Sequence, residues 1–177
     1  VGLNFFNTWA VWKKSRKVGS RLHYVAIEGF PAEKKNILAA MDPFPQLKSY
    51  VYEFVEKAPP IHHGFHSIYL DDDRVHLTLL FGPIKNMLTR LIADVDAWFL
   101  DGFSPEKNEE MWTPAVISEI ARLSHSGTSI ATFTVSGQVR RNLTDAGVKV
   151  EKRPGFRSKR ECLFGRFCGG GAETGLP

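Results

Sequence analysis

Cysteine and long apolar runs are scarce in this chain of 177 residues. Its two cysteines, Cys162 and Cys168, are too few and too close for a disulfide framework, and no metal-ligand spacing accompanies them. No apolar run approaches the roughly 18 residues of a membrane span, and no secretory signal peptide is visible. These absences exclude a disulfide-rich secreted scaffold and a membrane-spanning protein, and they predict a reduced, cytoplasmic setting.

An initiating methionine is also absent, since the sequence starts at Val1 and its first residues already resemble the start of a helix. We therefore expect a piece of a longer protein. Its apolar content of 43% and its length are enough for one domain with a real core. We assign residues 1–167 to that domain and the glycine-rich residues 168–177 to a flexible tail or linker.

The positive charge is unevenly placed. The net charge is +4, but residues 140–166 hold nine Lys or Arg against three Asp or Glu. Such a segment predicts an anionic partner, with a solvated basic face as the alternative. The cations with which we associate that partner are Arg140, Arg141, Arg157, Lys159 and Arg160.

Strand-like and helix-like segments alternate along the chain. Strands are predicted at 21–27, 67–70, 74–81, 95–100, 128–134, 148–151 and 161–167, and helices lie between most of them. This order indicates an open α/β sheet, and the right-handedness of crossover connections makes it doubly wound.

The stretch 94–112 carries the clearest candidate site. Its apolar run, 95–100, has the pattern of a buried strand and ends on Asp101, after which a loop with Phe103 leads to Trp112. Open α/β sheets bind ligands at the carboxyl ends of their strands, where a carboxylate can accept hydrogen bonds from a substrate amine or hydroxyl. The alternative is that Asp101 only caps the next helix.

A second acidic residue, Glu28, ends the strand at 21–27. In nucleotide-binding α/β units this position commonly holds the ribose hydroxyls, although a strand-end Glu is common in other folds too. Near the start of the chain, Gly2 precedes a helical pattern and would close a glycine-rich turn whose earlier part is absent.

Two other polar clusters favour simpler interpretations. The pair His62 and His63 has no carboxylate or cysteine at supporting spacing, which disfavours a metal site. The run Asp71, Asp72 and Asp73 separates two strand patterns and predicts a solvated hairpin turn.

The motifs together resemble a known family. The segment WFLDGFSPEKNEEMWT at 98–113 is similar to the signature of the methyltransferase domain of the bifunctional tRNA 5-methylaminomethyl-2-thiouridine biosynthesis proteins. The similarity covers about residues 2–167. It includes GLNF at 2–5, RLH at 21–23, IE at 27–28, LFG at 80–82, ATFT at 131–134, VRR at 139–141, DAG at 145–147, PGF at 154–156 and KRE at 159–161.

The resemblance implies a class I, Rossmann-like methyltransferase that uses S-adenosylmethionine to methylate the aminomethyl group of the wobble uridine in certain tRNAs. It implies that Gly2 and Asn4 border the methionine end of the cofactor and that Glu28 holds its ribose. Asp101 and Phe103 would lie between cofactor and substrate as the catalytic pair, and Asp101 would also bind the cofactor.

The same resemblance suggests how RNA would be held. Phe103 or Trp112 would stack on the extruded uracil, since proteins often hold unpaired RNA bases on aromatic rings. Arg140, Arg141, Arg157, Lys159 and Arg160, which together form the basic cluster, would bind phosphates of the anticodon loop. FAD would belong only to a separate C-terminal oxidase domain, which residues 1–177 do not contain.

The chain differs from the family pattern in two places. The glycine-rich loop and the strand before it are absent, and Pro83 follows Gly82 where the family usually has an Asp near the adenine. A Rossmann-type nucleotide-dependent oxidoreductase and an RNA-binding module without a cofactor are therefore the alternative functions.

Overall fold

A computed structural model describes residues 2–102, 108–155 and 161–169. The described chain forms two compact units, Val1–Met87 and Leu88–Pro177. Each unit is built on a β-sheet of its own, and the helices join or follow its strands.

The first unit has three helices before its last two strands. Its elements are α1 (Leu3–Ser15), β1 (Leu22–Glu28), α2 (Lys34–Met41), α3 (Lys48–Lys57), β2 (Gly64–Leu70) and β3 (Val75–Phe81). A short α4 (Ile84–Leu88) follows and spans the boundary. The strand order is β1-β3-β2, with β1 parallel and β2 antiparallel to β3.

Aromatic residues of α1 form the centre of this unit's core. Phe5, Phe6 and Trp9 are at most 1% exposed and share one helix face, as the spacing of the aromatics predicts. Phe54 of α3 meets Phe6 edge-on at 5.7 Å, and Tyr24 of β1 meets Phe5 in the same way at 5.0 Å. The core thus joins both helices to one face of the sheet.

The second unit combines four strands with two helices. Its elements are β4 (Val95–Phe99), α5 (Pro114–Arg122), β5 (Ser124–Thr132), α6 (Gly137–Asp145), β6 (Val148–Pro154) and β7 (Glu161–Phe167). The order β4-β5-β7-β6 places parallel β4 and β5 beside an antiparallel return. The predicted alternation of strands and helices is confirmed, although the described strands form two sheets and not one.

Contacts both near and far along the chain set the helix boundaries. The sequence predicts a helix start at Pro31, but α2 begins at Lys34, because Glu33 before it has extended backbone angles. The pattern at 82–92 predicts a helix to Ile92, but α4 ends at Leu88, where Arg122 donates hydrogen bonds to the carbonyls of Leu88 and Leu91 at 2.9 and 3.1 Å. The sequence also predicts a helix start at Pro114 with Thr113 as its cap, and there Thr113 accepts the N–H of Val116 at 3.4 Å.

The strand that leads to Asp101 is more exposed than its composition suggests. Asp96, Ala97 and Phe99 of β4 are exposed, and β4 lies at the edge of its sheet among the described strands. The prediction of a buried strand is therefore wrong for this structure.

The Asp71–Asp73 hairpin turn is confirmed, but it is not fully solvated. All three aspartates have positive φ, between 52° and 62°. Asp71 is 8% exposed and forms ion pairs with Lys13 and Arg16 of α1. Burial alone would raise the pKa of Asp71, but hydrogen bonds and charge from these two cations outweigh it and lower the pKa.

Candidate cofactor and substrate site

Glu28, the residue predicted to hold the ribose, lies where two parallel strands of the first unit end. β1 ends at Glu28 and β3 at Phe81, and these two residues are partners in the register. The N–H of Gly82, just after β3, donates to the carbonyl of Glu28 at 3.0 Å. This edge, formed by the carboxyl ends of β1 and β3, is where α/β sheets bind nucleotides.

The direction of α1 adds Gly2 and Asn4 to the same edge. Lys13 and Arg16, near the end of α1, form ion pairs with Asp71. Asp71 directly follows β2, at the end of the sheet that lies opposite the carboxyl ends of β1 and β3. The helix therefore runs antiparallel to β1, and its first residues lie toward Glu28. The three cofactor positions predicted in this unit thus share one edge.

The start of α1 suits an anionic group. Gly2 is its N-cap, no described side chain caps the helix there, and its first turn contains no acidic residue. The partial positive charge of the helix N-terminus therefore has no carboxylate of its own first turn beside it. A carboxylate such as that of the cofactor's methionine moiety fits this position.

One residue of this edge was not identified from the sequence. Phe30, two positions after Glu28, is 91% exposed. An exposed aromatic ring two positions after the acid that is predicted to hold the ribose offers a stacking face for a base. The available signal was an aromatic residue two positions after a strand-end acid.

In the second unit, Asp101 follows the carboxyl end of β4. The N–H of Leu100 donates to the carbonyl of Ala131 at 2.9 Å, which fixes the backbone just before it. Asp101 is exposed. Thr113 caps α5, and Asn108 before the 3-10 turn Glu109–Trp112 makes no side-chain cap hydrogen bond. Because residues 103–107 lie outside the described residues, both the catalytic and the capping interpretation of Asp101 stay predictions.

The predicted aromatic contacts to uracil have different outcomes. Trp112 is only 6% exposed, and its carbonyl accepts the side-chain amide of Asn142 at 3.0 Å. So small an exposed surface leaves no ring face on which a base can stack. The predicted contact of Trp112 with the uracil is therefore wrong, and Trp112 is a core residue. Phe103 lies outside the described residues, and its role stays a prediction.

The basic cluster is described only in part. Arg140 and Arg141 are exposed on α6, and Arg141 donates to the side chain of Gln138 at 2.8 Å. Arg157, Lys159 and Arg160 lie outside the described residues.

The β6–β7 register reveals a further pair of cations. Lys149 and Arg166 are exposed and stand directly opposite each other. Like charges in this position destabilise a sheet unless an anion lies between them or water screens them. The pair therefore adds to the positive potential of the second unit.

Other kinds of site find no support in the part of the chain that is described. There, no group of three or more His, Cys, Asp or Glu residues is arranged to hold a metal ion. Cys162 and Cys168 are free. No described helix has the length and hydropathy needed to cross a membrane.

Comparison with known proteins identifies the class. A model of the S-adenosyl-L-methionine-dependent methyltransferases matches residues 45–167, which is most of the chain. The chain belongs to this family, and it is a methyltransferase enzyme whose cofactor is S-adenosylmethionine.

Relatives within the family are more specific. Two bifunctional tRNA 5-methylaminomethyl-2-thiouridine biosynthesis proteins are similar over nearly the whole chain. That of Pseudomonas entomophila is 40% identical over 100% of the chain, and that of Magnetococcus marinus is 44% identical over 93%. The chain spans about a quarter of their lengths, 27% and 25%.

A solved structure supports the fold. MNMC2 from Aquifex aeolicus superposes with a TM-score of 0.68 at 22% identity, covering 89% of this chain and 47% of its own. The resemblance inferred from the motifs and the class I fold are both confirmed.

Proposed function

We propose that this chain transfers a methyl group from S-adenosylmethionine to the aminomethyl nitrogen of 5-aminomethyl-2-thiouridine at the wobble position of tRNA. The observation that carries the proposal is the 40–44% identity, over nearly the whole chain, to proteins named for 5-methylaminomethyl-2-thiouridine biosynthesis. In this reading Gly2, Asn4 and Glu28 bind the cofactor, and Asp101 and Phe103 face the reacting amine.

The chemistry assigns a clear task to Asp101. When bound, the cofactor supplies an electrophilic methyl on its sulfonium. The amine must be neutral and aligned to attack it, so positioning contributes much of the rate enhancement. The carboxylate of Asp101 holds the amine by hydrogen bonds and accepts or relays its proton. Because an aspartate is a weak base for an ammonium ion, positioning is its main contribution.

Binding of the RNA depends on charge. We assign phosphates of the anticodon loop to Arg140, Arg141, Arg157, Lys159 and Arg160, and the exposed pair Lys149 and Arg166 supports a basic surface in this unit. The relatives are bifunctional by name, and an FAD-dependent oxidase domain remains a proposed partner in the full protein.

The test is a transfer assay with purified protein encoded by the whole gene. Its substrate is tRNA from cells that accumulate 5-aminomethyl-2-thiouridine, and nucleosides are analysed by mass spectrometry. We expect the methylated nucleoside only when S-adenosylmethionine and the aminomethyl tRNA are both present. Methylation of another nucleotide would overturn the assigned substrate, and tRNA binding without transfer would favour an RNA-binding module.

A binding measurement separates the enzyme classes. We expect calorimetry to show binding of S-adenosylmethionine and no binding of NAD, and Glu28→Ala to weaken the former by roughly 1.5–3 kcal/mol, the scale of a charged hydrogen bond. Unchanged affinity in Glu28→Ala would remove Glu28 from the site. Preference for NAD would indicate an oxidoreductase.

A further inference from the structure

The cofactor's adenine needs polar partners, and the end of β3 supplies few. Gly82 has no side chain, and its N–H is already bonded to the carbonyl of Glu28. Pro83 has neither an N–H nor a polar side chain. A base attached to a ribose at Glu28 and lying over β3 therefore needs a polar group from another element.

His63 lies beside this position. The β2–β3 register pairs Gly64 with Phe81, which makes His63 the neighbour of Gly82. A Cβ at Gly82 would stand 3.4 Å from the Nδ1 of His63 and 3.0 Å from the terminal methyl of Met87. The imidazole therefore packs against Gly82 itself, and this close approach requires glycine there.

The ring of His63 is also available for a ligand. It is exposed, and no hydrogen bond of its ring nitrogens is found within the described residues. The nearby His66 differs, because its Nε2 lies 2.8 Å from the carbonyl of His62 and forms a hydrogen bond with it.

Phe30 supplies the complementary face. Its ring is almost fully exposed two residues after Glu28, at the same edge of the sheet. Proteins commonly hold a nucleobase by stacking its face on an aromatic ring while polar groups bind its edge. Phe30 and His63 offer these two kinds of contact.

We propose that His63 recognises the amino edge of the cofactor's adenine. A neutral imidazole has one acceptor nitrogen, which accepts a hydrogen bond from the exocyclic amine while Phe30 stacks on the ring. The contact replaces the polar residue that Pro83 does not provide. This inference rests on the proposed position of the ribose at Glu28.

Calorimetry with two ligands tests the contact in the protein encoded by the whole gene. The ligands are S-adenosylhomocysteine and its analogue in which hydrogen replaces the 6-amino group of the purine. We expect the parent to bind the analogue about 3- to 10-fold more weakly, the scale of one hydrogen bond. His63→Ala should bind the adenine ligand more weakly by a similar factor and discriminate little between the two ligands.

Two further variants keep the result interpretable. His62→Ala, in the same exposed loop, should keep the affinity and the discrimination of the parent. His63→Phe keeps a ring without an acceptor. If both ligands lose affinity equally in His63→Ala and His63→Phe restores both, His63 only packs against the base and the edge contact is overturned.

Discrimination that survives in His63→Ala would also overturn the inference. A parent that binds S-adenosylhomocysteine tightly while Glu28→Ala binds equally well would instead contradict the ribose position, and with it the basis of this inference. Failure of tRNA methylation alone would contradict the proposed substrate and leave the measured adenine contact standing.

Discussion

At the scale of single residues, Asp101 carries the largest functional claim. It lies exposed just after the carboxyl end of β4. We expect Asp101→Asn to lower turnover by about a hundredfold or more, because it keeps the shape but loses the proton-accepting charge. Single-turnover methylation measures this directly, and binding of cofactor and tRNA should largely persist. Transfer at the parental rate would end the catalytic assignment.

Asp71 provides a prediction about stability at the same scale. Its folded-state pKa lies below the ordinary value for an aspartate, so its contribution to stability is complete above that ordinary value and declines as pH falls through the folded pKa. At neutral pH, Asp71→Asn should lower the free energy of unfolding by about 1–3 kcal/mol. The difference from the parent should shrink in acid below about pH 4.

Asp72→Asn is the matched control for this substitution. Asp72 has the same φ of 52°, which asparagine tolerates, but it is exposed. Denaturant titration at neutral and acid pH should show almost no change for Asp72→Asn. Equal losses in the two variants would mean that the turn, and not the buried ion pairs of Asp71, accounts for the effect.

At the scale of elements, sequence patterns predicted most strands and helices but not their exposure. The apolar run before Asp101 predicted a strand correctly, yet its burial depends on neighbouring strands that a local pattern does not reveal. Trp112 shows the converse: its position in a suspected site suggested a ligand contact, whereas the fold buries it.

Long-range contacts explain the other differences. The end of α4 depends on Arg122, more than thirty residues away, and the buried Asp71 depends on cations of α1. The cofactor-binding role of Glu28, Gly2 and Asn4 stays a prediction; for Glu28 it rests on its place at the carboxyl end of a parallel strand.

The basic segment before β7 is the element with the strongest predicted effect on RNA. Charge reversal at Arg157, Lys159 and Arg160 should weaken tRNA binding and reduce its salt dependence, because fewer counterions are released. Affinity for S-adenosylmethionine should stay nearly constant. Titrations at several salt concentrations measure the slope, and a parental slope in the variant would show that these side chains do not contact phosphate.

For the whole molecule, the described chain leaves two parallel-sheet strands with one neighbour each. Among the described residues, β1 pairs only with β3 and β4 only with β5. Each of these strands also has an exposed apolar side chain: Val25 of β1 is 37% exposed, and Phe99 of β4 is 45% exposed. We propose, as the family resemblance implies, that a further strand that leads into a glycine-rich loop pairs with the open edge of β1.

A comparison of the stability of residues 1–177 with that of a longer chain tests this proposal. Buried backbone groups without hydrogen bonds cost roughly 1–3 kcal/mol each, against a total stability of about 5–15 kcal/mol for a domain. Residues 1–177 alone should therefore be poorly soluble or partly unfolded and should not bind S-adenosylmethionine. Joining the strand and glycine-rich loop of a relative before Val1 should give a soluble chain that binds the cofactor. A cooperative thermal transition with tight cofactor binding from residues 1–177 would contradict the proposal.

The most direct test of the central claim follows the methyl group itself. Protein from the whole gene is incubated with S-adenosylmethionine carrying a trideuterated methyl and with tRNA containing 5-aminomethyl-2-thiouridine, and the wobble nucleoside is then analysed by tandem mass spectrometry. We predict one trideuterated methyl on the aminomethyl nitrogen of that nucleoside, and almost none with Asp101→Asn. A wobble nucleoside that remains unlabelled while the protein binds both cofactor and tRNA would contradict the proposed function.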